Sequence, residues 1–203
     1  MVKTSQSLYI SNMPANASSI QSYSLFGESQ HLPDVLHCET IADRSALHDW
    51  ELAPHRHARL HQVLLITEGG GTAELDGESV RLQPGSLVNV PAGHVHAFRF
   101  RKHTQGWVTT FADELLDELF VRVGDVRDGL TQACVIKATP PLQVTMSQIW
   151  QEFCEQSKAR ALVLRGLSAV LLGWVARNIQ PEANKEAQAT AARVVQRFKA
   201  LVD

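Results

Sequence analysis

At 203 residues, 44% of them hydrophobic and 20% charged, the chain is long enough for one hydrophobic core with an appended helical unit. Its formal net charge of −2 argues against a broad nucleic-acid-binding surface, which would require clustered Lys and Arg. Three cysteines without CxxC spacing favour reduced thiols over a disulfide framework. No signal-peptide pattern opens the chain, and Arg165 interrupts the most apolar segment, so we expect a cytoplasmic protein without a membrane partner.

Residues 1–32 are rich in Ser, Gln and Asn and are predicted to form an N-terminal arm. Within the arm, residues 20–29 carry the apolar side chains of Tyr23, Leu25 and Phe26, so we expect this part to dock on the rest of the protein. Two roles for the arm stay open. It could seal one end of the fold, or it could change its position in response to ligand.

Residues 33–139 are predicted to form a β-barrel or sandwich. Short alternating segments are separated by turn signals roughly every 8–12 residues, which is typical of eight or nine short strands. Asp76-Gly77 is a strong two-residue hairpin signal between two such segments. A short helix is expected over residues 112–123, inserted before the end of the β-rich part.

The pattern becomes helical at Thr139-Pro140-Pro141, and residues 140–203 are predicted to be a helical dimerisation region. A first helix carries Leu142, Met146 and Ile149 at helical spacing. A second is apolar almost all round, which favours burial from both sides, and a third is expected at the C-terminal end. Strands followed by helices make the predicted fold class α+β.

Two stretches carry the candidate chemistry, "PHRHARLHQ" at 54–62 and "PGSLVNVPAGHVH" at 84–96. Side chains alternate along a strand, so His55 and His57 point to the same face, whereas His61 faces away from Gln62. A third histidine, His96, ends the second stretch. Neutral imidazoles are ligands for divalent metals such as Zn, Fe and Ni.

These stretches resemble the two-part motif of the cupin barrels. The resemblance implies a cupin-like double-stranded β-helix (jelly-roll) barrel, followed here by C-terminal α-helices, with His55, His57, His96 and Gln62 at the metal-ligand positions. Gly85, Pro91 and Gly93 also match the motif. The sequence departs from the motif at two positions. Gln62 replaces the usual Glu, and Phe100 stands where the motif commonly has Asn.

Besides a merely structural role, two interpretations of the three histidines stay open. One is a bound divalent metal (Zn, Fe or Ni), although Gln62 is neutral and therefore a weak ligand. The other is a hydrogen-bonding wall of a ligand cavity, since neutral imidazoles both donate and accept. Further ligand-binding candidates are two arginines that could hold a carboxylate and two tryptophans that could stack on an aromatic ring: Arg44, Arg99, Trp50 and Trp107.

The chain as a whole resembles the N-terminal half of AraC/XylS-type bacterial transcription regulators. The strings "YSLFGE", "PDVLHCETIADRSALHDWELAPHRHARLHQVLLI", "LDGESVRLQPGSLVNVPAGHVHAFRF" and "TQGWVTTF" carry this resemblance. They point to the branch responsive to hydroxylated aromatic acids such as 4-hydroxybenzoate or 4-hydroxyphenylacetate. The resemblance implies an effector-binding barrel, homodimerisation, and promoter binding only by a full-length protein with helix-turn-helix units, for which there is no room after Asp203.

The sequence therefore predicts the effector-sensing and dimerisation part of a transcription regulator, and not an enzyme. The alternatives are a metal-dependent cupin enzyme, such as a dioxygenase, and a sugar-binding regulator of another branch. Effector binding would act by shifting the population of arm or helix placements.

Overall fold

A computed structural model of the chain describes residues 21–22, 36–121, 124–155 and 157–179. Most of the predicted arm, including the apolar residues of 20–29, lies outside these residues, as does the predicted third helix. Two five-stranded sheets and a layer of helices account for the described part of the chain.

The first sheet has five strands, β1 (Gln21–Ser22), β3 (Glu51–Arg56), β5 (Gly71–Leu75), β6 (Glu78–Leu82) and β8 (His96–Phe100). Their spatial order is β1-β3-β8-β5-β6. All pairs are antiparallel except that of β1 with β3. The β5–β6 hairpin turns at Asp76 and Gly77, whose positive φ angles of 48° and 89° suit the predicted two-residue turn.

The second sheet has the strands β2 (His37–Thr40), β4 (Leu60–Glu68), β7 (Ser86–Val90), β9 (Gln105–Ala112) and β10 (Cys134–Lys137). Their order is β10-β7-β4-β9-β2, and every pair is antiparallel. Long-range pairings join strands that are far apart in the chain. The described residues contain ten strands in two facing sheets, where the sequence predicted eight or nine.

The central strands of the second sheet are buried on both faces. Along β4, Leu64 and Ile66 belong to the cluster between the two sheets, which we call the barrel interior. Val63 and Leu65 instead belong to the cluster between this sheet and the helices, which we call the helix layer. The near-continuous apolar run of β4 therefore serves two cores at once.

Five α-helices complete the described fold, α1 (Ile41–Ser45), α2 (Asp113–Phe120), α3 (Gly124–Gly129), α4 (Pro140–Cys154) and α5 (Arg160–Asn178). The predicted short helix over 112–123 is confirmed as α2, and the helix predicted after Thr139 is confirmed as α4. Pro140 occupies the first turn of α4, where the absence of a backbone N–H costs no hydrogen bond.

The helix α5 is long and apolar enough to cross a membrane by length and composition, as the core helices of many soluble proteins also are. Its buried residues pack in the helix layer against α4, among them Leu164, Leu171 and Val175. Leu162, Val163 and Val170 are exposed, at 71%, 42% and 47% of their surface. One side of α5 is therefore apolar and uncovered in the single chain.

A short helix that the sequence did not predict follows β2. Thr40 caps it, because its hydroxyl accepts a hydrogen bond from the backbone N–H of Asp43 at 3.0 Å. This cap turns the chain at Ile41, so that β2 ends at Thr40 and Arg44 lies on α1.

Candidate metal centre and ligand site

Three histidines meet inside the barrel. His55 on β3 lies opposite His96 on β8 in the antiparallel register, and His57 follows the end of β3. The ring centroids are 4.3 Å apart for His55 and His96, 5.1 Å for His55 and His57, and 5.4 Å for His57 and His96. A backbone hydrogen bond of 2.7 Å from Gly93 to the carbonyl of His57 joins the two motif segments.

The backbone orients two of these rings. The Nδ1 of His55 lies 2.7 Å from the carbonyl oxygen of Ala53, and the Nδ1 of His96 lies 3.0 Å from that of His94. A ring that donates through Nδ1 keeps its lone pair on Nε2, and this second interaction fixes the tautomer of a metal-ligating histidine. The Nε2 of His96 is buried and has no hydrogen-bond partner among the residues that the structure describes.

Burial favours the neutral form of two of the three histidines. It lowers the pKa of His55, and it lowers the pKa of His96 to about 3, with added contributions from the charges of His55, His57 and Arg44. Neutral imidazole is the form that binds a metal. One ligand atom from each histidine lies within 4.8 Å of the others, so the triad could hold a metal ion, which would polarise an oxygen atom of a bound ligand.

Gln62 lies inside the barrel on the same face of β4 as Leu64 and is 2% exposed. Its Nε2 donates to the Thr110 hydroxyl at 3.2 Å. Among the described residues, no carboxylate belongs to the group of ligand atoms formed by the three histidines. A metal there would therefore have a neutral protein shell, to which Gln62 could add only its amide oxygen.

Arg44 is close enough to the triad for its charge to lower the pKa values of His55 and His96. Its Nη1 donates to Glu39 Oε1 at 2.6 Å, and the arginine side chain is only 15% exposed. Burial would raise the pKa of Glu39, but hydrogen bonding from His37 and the Arg44 charge lower it below its usual value. Sequence reasoning missed Glu39, which the Thr40 cap brings next to Arg44.

Aromatic residues lie next to the triad along β8. The rings of Phe98 and Phe100 stack in parallel, with centroids 5.4 Å apart, and His96 lies 5.8 Å from Phe98. The Phe100 that replaces the common Asn of the motif is thus part of the apolar interior. Trp50 packs against the same cluster, and its carbonyl accepts a hydrogen bond of 2.8 Å from Phe100.

The structure does not bring Arg99 and Trp107 into the interior. Strand β8 alternates from His96, so Arg99 points outward; its side chain is 73% exposed and paired with Glu51. Trp107 packs on the helix layer, on the opposite face of its sheet. Arg99 and Trp107 therefore do not line the barrel interior, and their predicted ligand roles there are wrong. For Arg99, the two-residue period of a strand already places its side chain on the face opposite to that of His96.

A second buried polar pair lies in the helix layer. His61 Nε2 is 2.7 Å from Asn89 Oδ1, and the Asn89 amide donates to the carbonyls of Leu130 and Gln132 at 3.2 and 2.8 Å. His61 is thus on the opposite side of β4 from Gln62, as the alternation predicts. This pair fixes the chain before β10 onto β7.

The two sheets and the helices form an α+β fold with a cupin-like barrel, which confirms the predicted fold class. Residues 48–108 match the family model described as a cupin domain. One curated relative is quercetin 2,3-dioxygenase of Bacillus subtilis (strain 168), which is 29% identical over 41% of this chain and 25% of the relative. Another is acireductone dioxygenase of Parasynechococcus marenigrum (strain WH8102), which is 32% identical over 40% of this chain and 51% of the relative. The chain thus spans between a quarter and about half of their lengths.

Solved structures with a similar fold include the AraC-like transcriptional activator CuxR. The likeness covers 56% of this chain and 42% of CuxR, with 13% sequence identity and a TM-score of 0.41. It concerns the fold alone.

The prediction that the chain is not an enzyme is wrong by this comparison, because both of these curated relatives are dioxygenases. The prediction relied on the resemblance to transcription regulators and on the loss of the anionic ligand at Gln62. A neutral three-histidine site still fits a metal, so the loss of that carboxylate does not exclude catalysis.

Proposed function

We propose that the barrel binds a small aromatic acid at a metal centre, and that it is the effector-sensing and dimerisation part of an AraC-type transcription regulator. The observation that carries the ligand site is the meeting of His55, His57 and His96 with their ligand atoms within 4.8 Å, all buried. The strings that resemble the AraC/XylS regulators support the regulatory role.

The proposed ligand is a hydroxylated aromatic acid such as 4-hydroxybenzoate or 4-hydroxyphenylacetate. Arg44 supplies the positive charge for its carboxylate, since a guanidinium binds a carboxylate through two parallel hydrogen bonds. The triad receives the hydroxyl, directly or through a metal such as Zn, Fe or Ni. Phe98 and Phe100 offer apolar surface to the ring.

The proposed partner is a second copy of this chain, bound through α5. The uncovered side of α5 carries Val163 and Val170, which are exposed, together with Gly166 and Gly173. An added Cβ at either glycine would meet nothing within 4 Å, so these positions leave room for close approach of another helix. A full-length protein would use this dimer to set the spacing of its DNA-binding units at promoter DNA.

A metal-dependent dioxygenase is the second candidate, because both curated relatives described above are dioxygenases and the histidines fit a metal. Its substrate would bind at the same triad. The two functions share the ligand site and differ in the fate of the bound molecule, which a sensor releases unchanged and a dioxygenase oxidises.

Metal analysis and calorimetry test the ligand site. Purified protein loaded in turn with Zn, Fe and Ni should bind 4-hydroxybenzoate or 4-hydroxyphenylacetate with one site per chain. Arg44→Gln should weaken binding by about tenfold or more, because it removes the charge that faces the carboxylate. Arg56→Gln is the matched control, since Arg56 is exposed on the same strand as His55. Equal binding by wild type and Arg44→Gln would overturn the proposed ligand orientation.

Sedimentation and oxygen uptake then separate the two functions. The sensor proposal expects the dimer dissociation constant to change when the aromatic acid is added, and an unchanged constant would contradict it. The enzyme candidate expects the iron-loaded protein to consume oxygen with quercetin, an acireductone or the aromatic acid. Loss of that consumption in His96→Ala, but not in His48→Ala, would assign it to the triad.

A further inference from the structure

A groove lies against strands β5, β6 and β8 of the first sheet, where Arg81 and Arg99 alternate away from the barrel interior. Its volume is about 410 Å³. Three arginines line it, together with two small residues and with two residues whose side chains belong to the barrel interior: Arg81, Arg99, Arg101, Gly71, Thr72, Leu82 and Phe100. Neither the triad nor the helix layer uses these arginines.

The strand register places two of the arginines on either side of one threonine. Thr72 on β5 lies opposite Arg81 on β6 and opposite Arg99 on β8. Neighbouring strands are roughly 5 Å apart, so the backbones of Arg81 and Arg99 are about 10 Å apart across Thr72. Two long side chains rooted at that spacing can converge on one anion above the threonine hydroxyl.

Two of the guanidinium groups are held by other contacts. Arg99 donates through Nε to Glu51 Oε1 at 2.7 Å. Arg101 donates through Nη2 to the carbonyl oxygen of Gly69. These bonds reduce the side-chain freedom that would be lost on binding a ligand, which lowers the entropic cost of association.

Gly71 lets strands β5 and β8 approach each other closely beside the groove. The φ angle of Gly71 is 157°, and an added Cβ would lie 2.1 Å from the carbonyl oxygen of Arg99. Only glycine therefore fits the close approach of β5 and β8 at this point. Next to it, Thr72 offers a hydroxyl donor.

Acidic residues limit the length of the basic surface. Glu51 already pairs with Arg99, and the exposed Glu74 lies two residues from Thr72, on the same face of β5. An extended polyanion such as DNA would meet these carboxylates, whereas a compact anion would not. We propose that this groove binds a small, multiply charged oxyanion, either a phosphate group or a polycarboxylate, between Arg81 and Arg99.

Calorimetric titration of the full chain with inorganic phosphate and, separately, with citrate tests this site. At low ionic strength we expect one site per chain, with shifts of the Gly71 and Thr72 amide resonances in a nitrogen–proton correlation spectrum. Arg81→Gln and Arg99→Gln should each weaken binding about fivefold or more, and Thr72→Val should weaken it less. Tighter binding of phosphate or of citrate identifies the source of the oxyanion, and either result supports the site.

Lys137→Gln is the matched control, because Lys137 is exposed on β10 of the other sheet. Binding weakened equally by Lys137→Gln would show general charge attraction and overturn the proposal, as would arginine variants that bind like wild type. Arginine-dependent binding of duplex DNA tighter than that of both small anions would overturn the assignment to a compact ligand. All four altered side chains are at the surface, and thermal unfolding checks that each variant remains folded.

Discussion

Gln21 pairs in parallel register with His55, so the short strand β1 lies along the strand that carries one of the three histidines. A parallel pairing is made by backbone groups and does not depend on the identity of the side chains. The strand β1 therefore lies at the edge of the first sheet, directly beside the strand that positions His55 of the triad.

Breaking that pairing should weaken metal binding. Replacement of both Gln21 and Ser22 by proline removes their backbone N–H groups and leaves β3 as a free edge, so the position of His55 is less restrained. We expect zinc affinity, measured by competition with a chromogenic chelator, to fall by several-fold. Replacement of both by alanine is the control, because it keeps the backbone donors; equal affinities of the two double variants would contradict the prediction.

Gln62→Glu should restore an anionic ligand to the motif. In the metal-free protein it buries a carboxylate, so the free energy of unfolding should fall by about 1–3 kcal/mol relative to wild type. With saturating zinc the order should reverse, because the anion binds the metal more tightly than the amide does. Urea unfolding with and without zinc measures both effects. If zinc stabilises Gln62→Glu no more than Gln62→Leu, residue 62 does not ligate the metal.

His61 should make the fold sensitive to mild acid. Burial lowers the pKa of His61 from 6.5 to about 4, with a smaller opposing effect from the hydrogen bond to Asn89. Above about pH 6.5 the ring is neutral in both states; as the pH falls towards 4, only the unfolded chain gains the proton. Stability is therefore lost over this range, by about 3 kcal/mol if the full shift applies.

Urea unfolding at pH 7.5 and pH 5 compares wild type with His61→Gln, whose amide can still donate to Asn89 but does not titrate. The variant should lose less stability between these pH values. His48→Gln, an exposed position, is the control and should behave as wild type. An identical loss in all three proteins would show that other groups cause the acid sensitivity.

Val170→Glu should dissociate the proposed dimer. Val170 is 47% exposed on the uncovered side of α5, and a carboxylate there would be desolvated in a helix–helix interface. We expect the dimer dissociation constant, from analytical ultracentrifugation, to rise at least about tenfold. Ala161→Glu, at an exposed position of the same helix outside that row, is the control. Unchanged association in Val170→Glu would place the dimer interface elsewhere.

Local patterns predicted much of this fold. The hairpin at Asp76-Gly77, the helix that begins after Thr139, and the shared face of His55 and His57 all follow from the period of the side chains and from turn chemistry. Each of these features involves residues close together in the chain, where sequence spacing and spatial position are tightly linked.

Contacts between distant segments could not be predicted in the same way. Glu39 contacts Arg44 because a capped turn of helix reverses the chain after β2. Thr40 and Asp43 are residue types that favour such a cap, but the contact itself depends on how the turn is placed in the fold. Trp107 could face either the barrel interior or the helix layer, according to how its strand β9 is placed in the sheet. The pairing of β9 with β2 and β4 decides this placement.

The second sheet is a wall shared by two compartments, with the ligand site on one side and the helices on the other. Alternate residues of β4 serve one side or the other, so substitutions at Leu64 and at Leu65 act on different properties of the protein. Ligand preference can therefore diverge between related proteins while the helix layer stays constant. Communication between the compartments across β4 therefore depends on shifts of its backbone, because each core side chain in the described part of β4 belongs to one compartment alone.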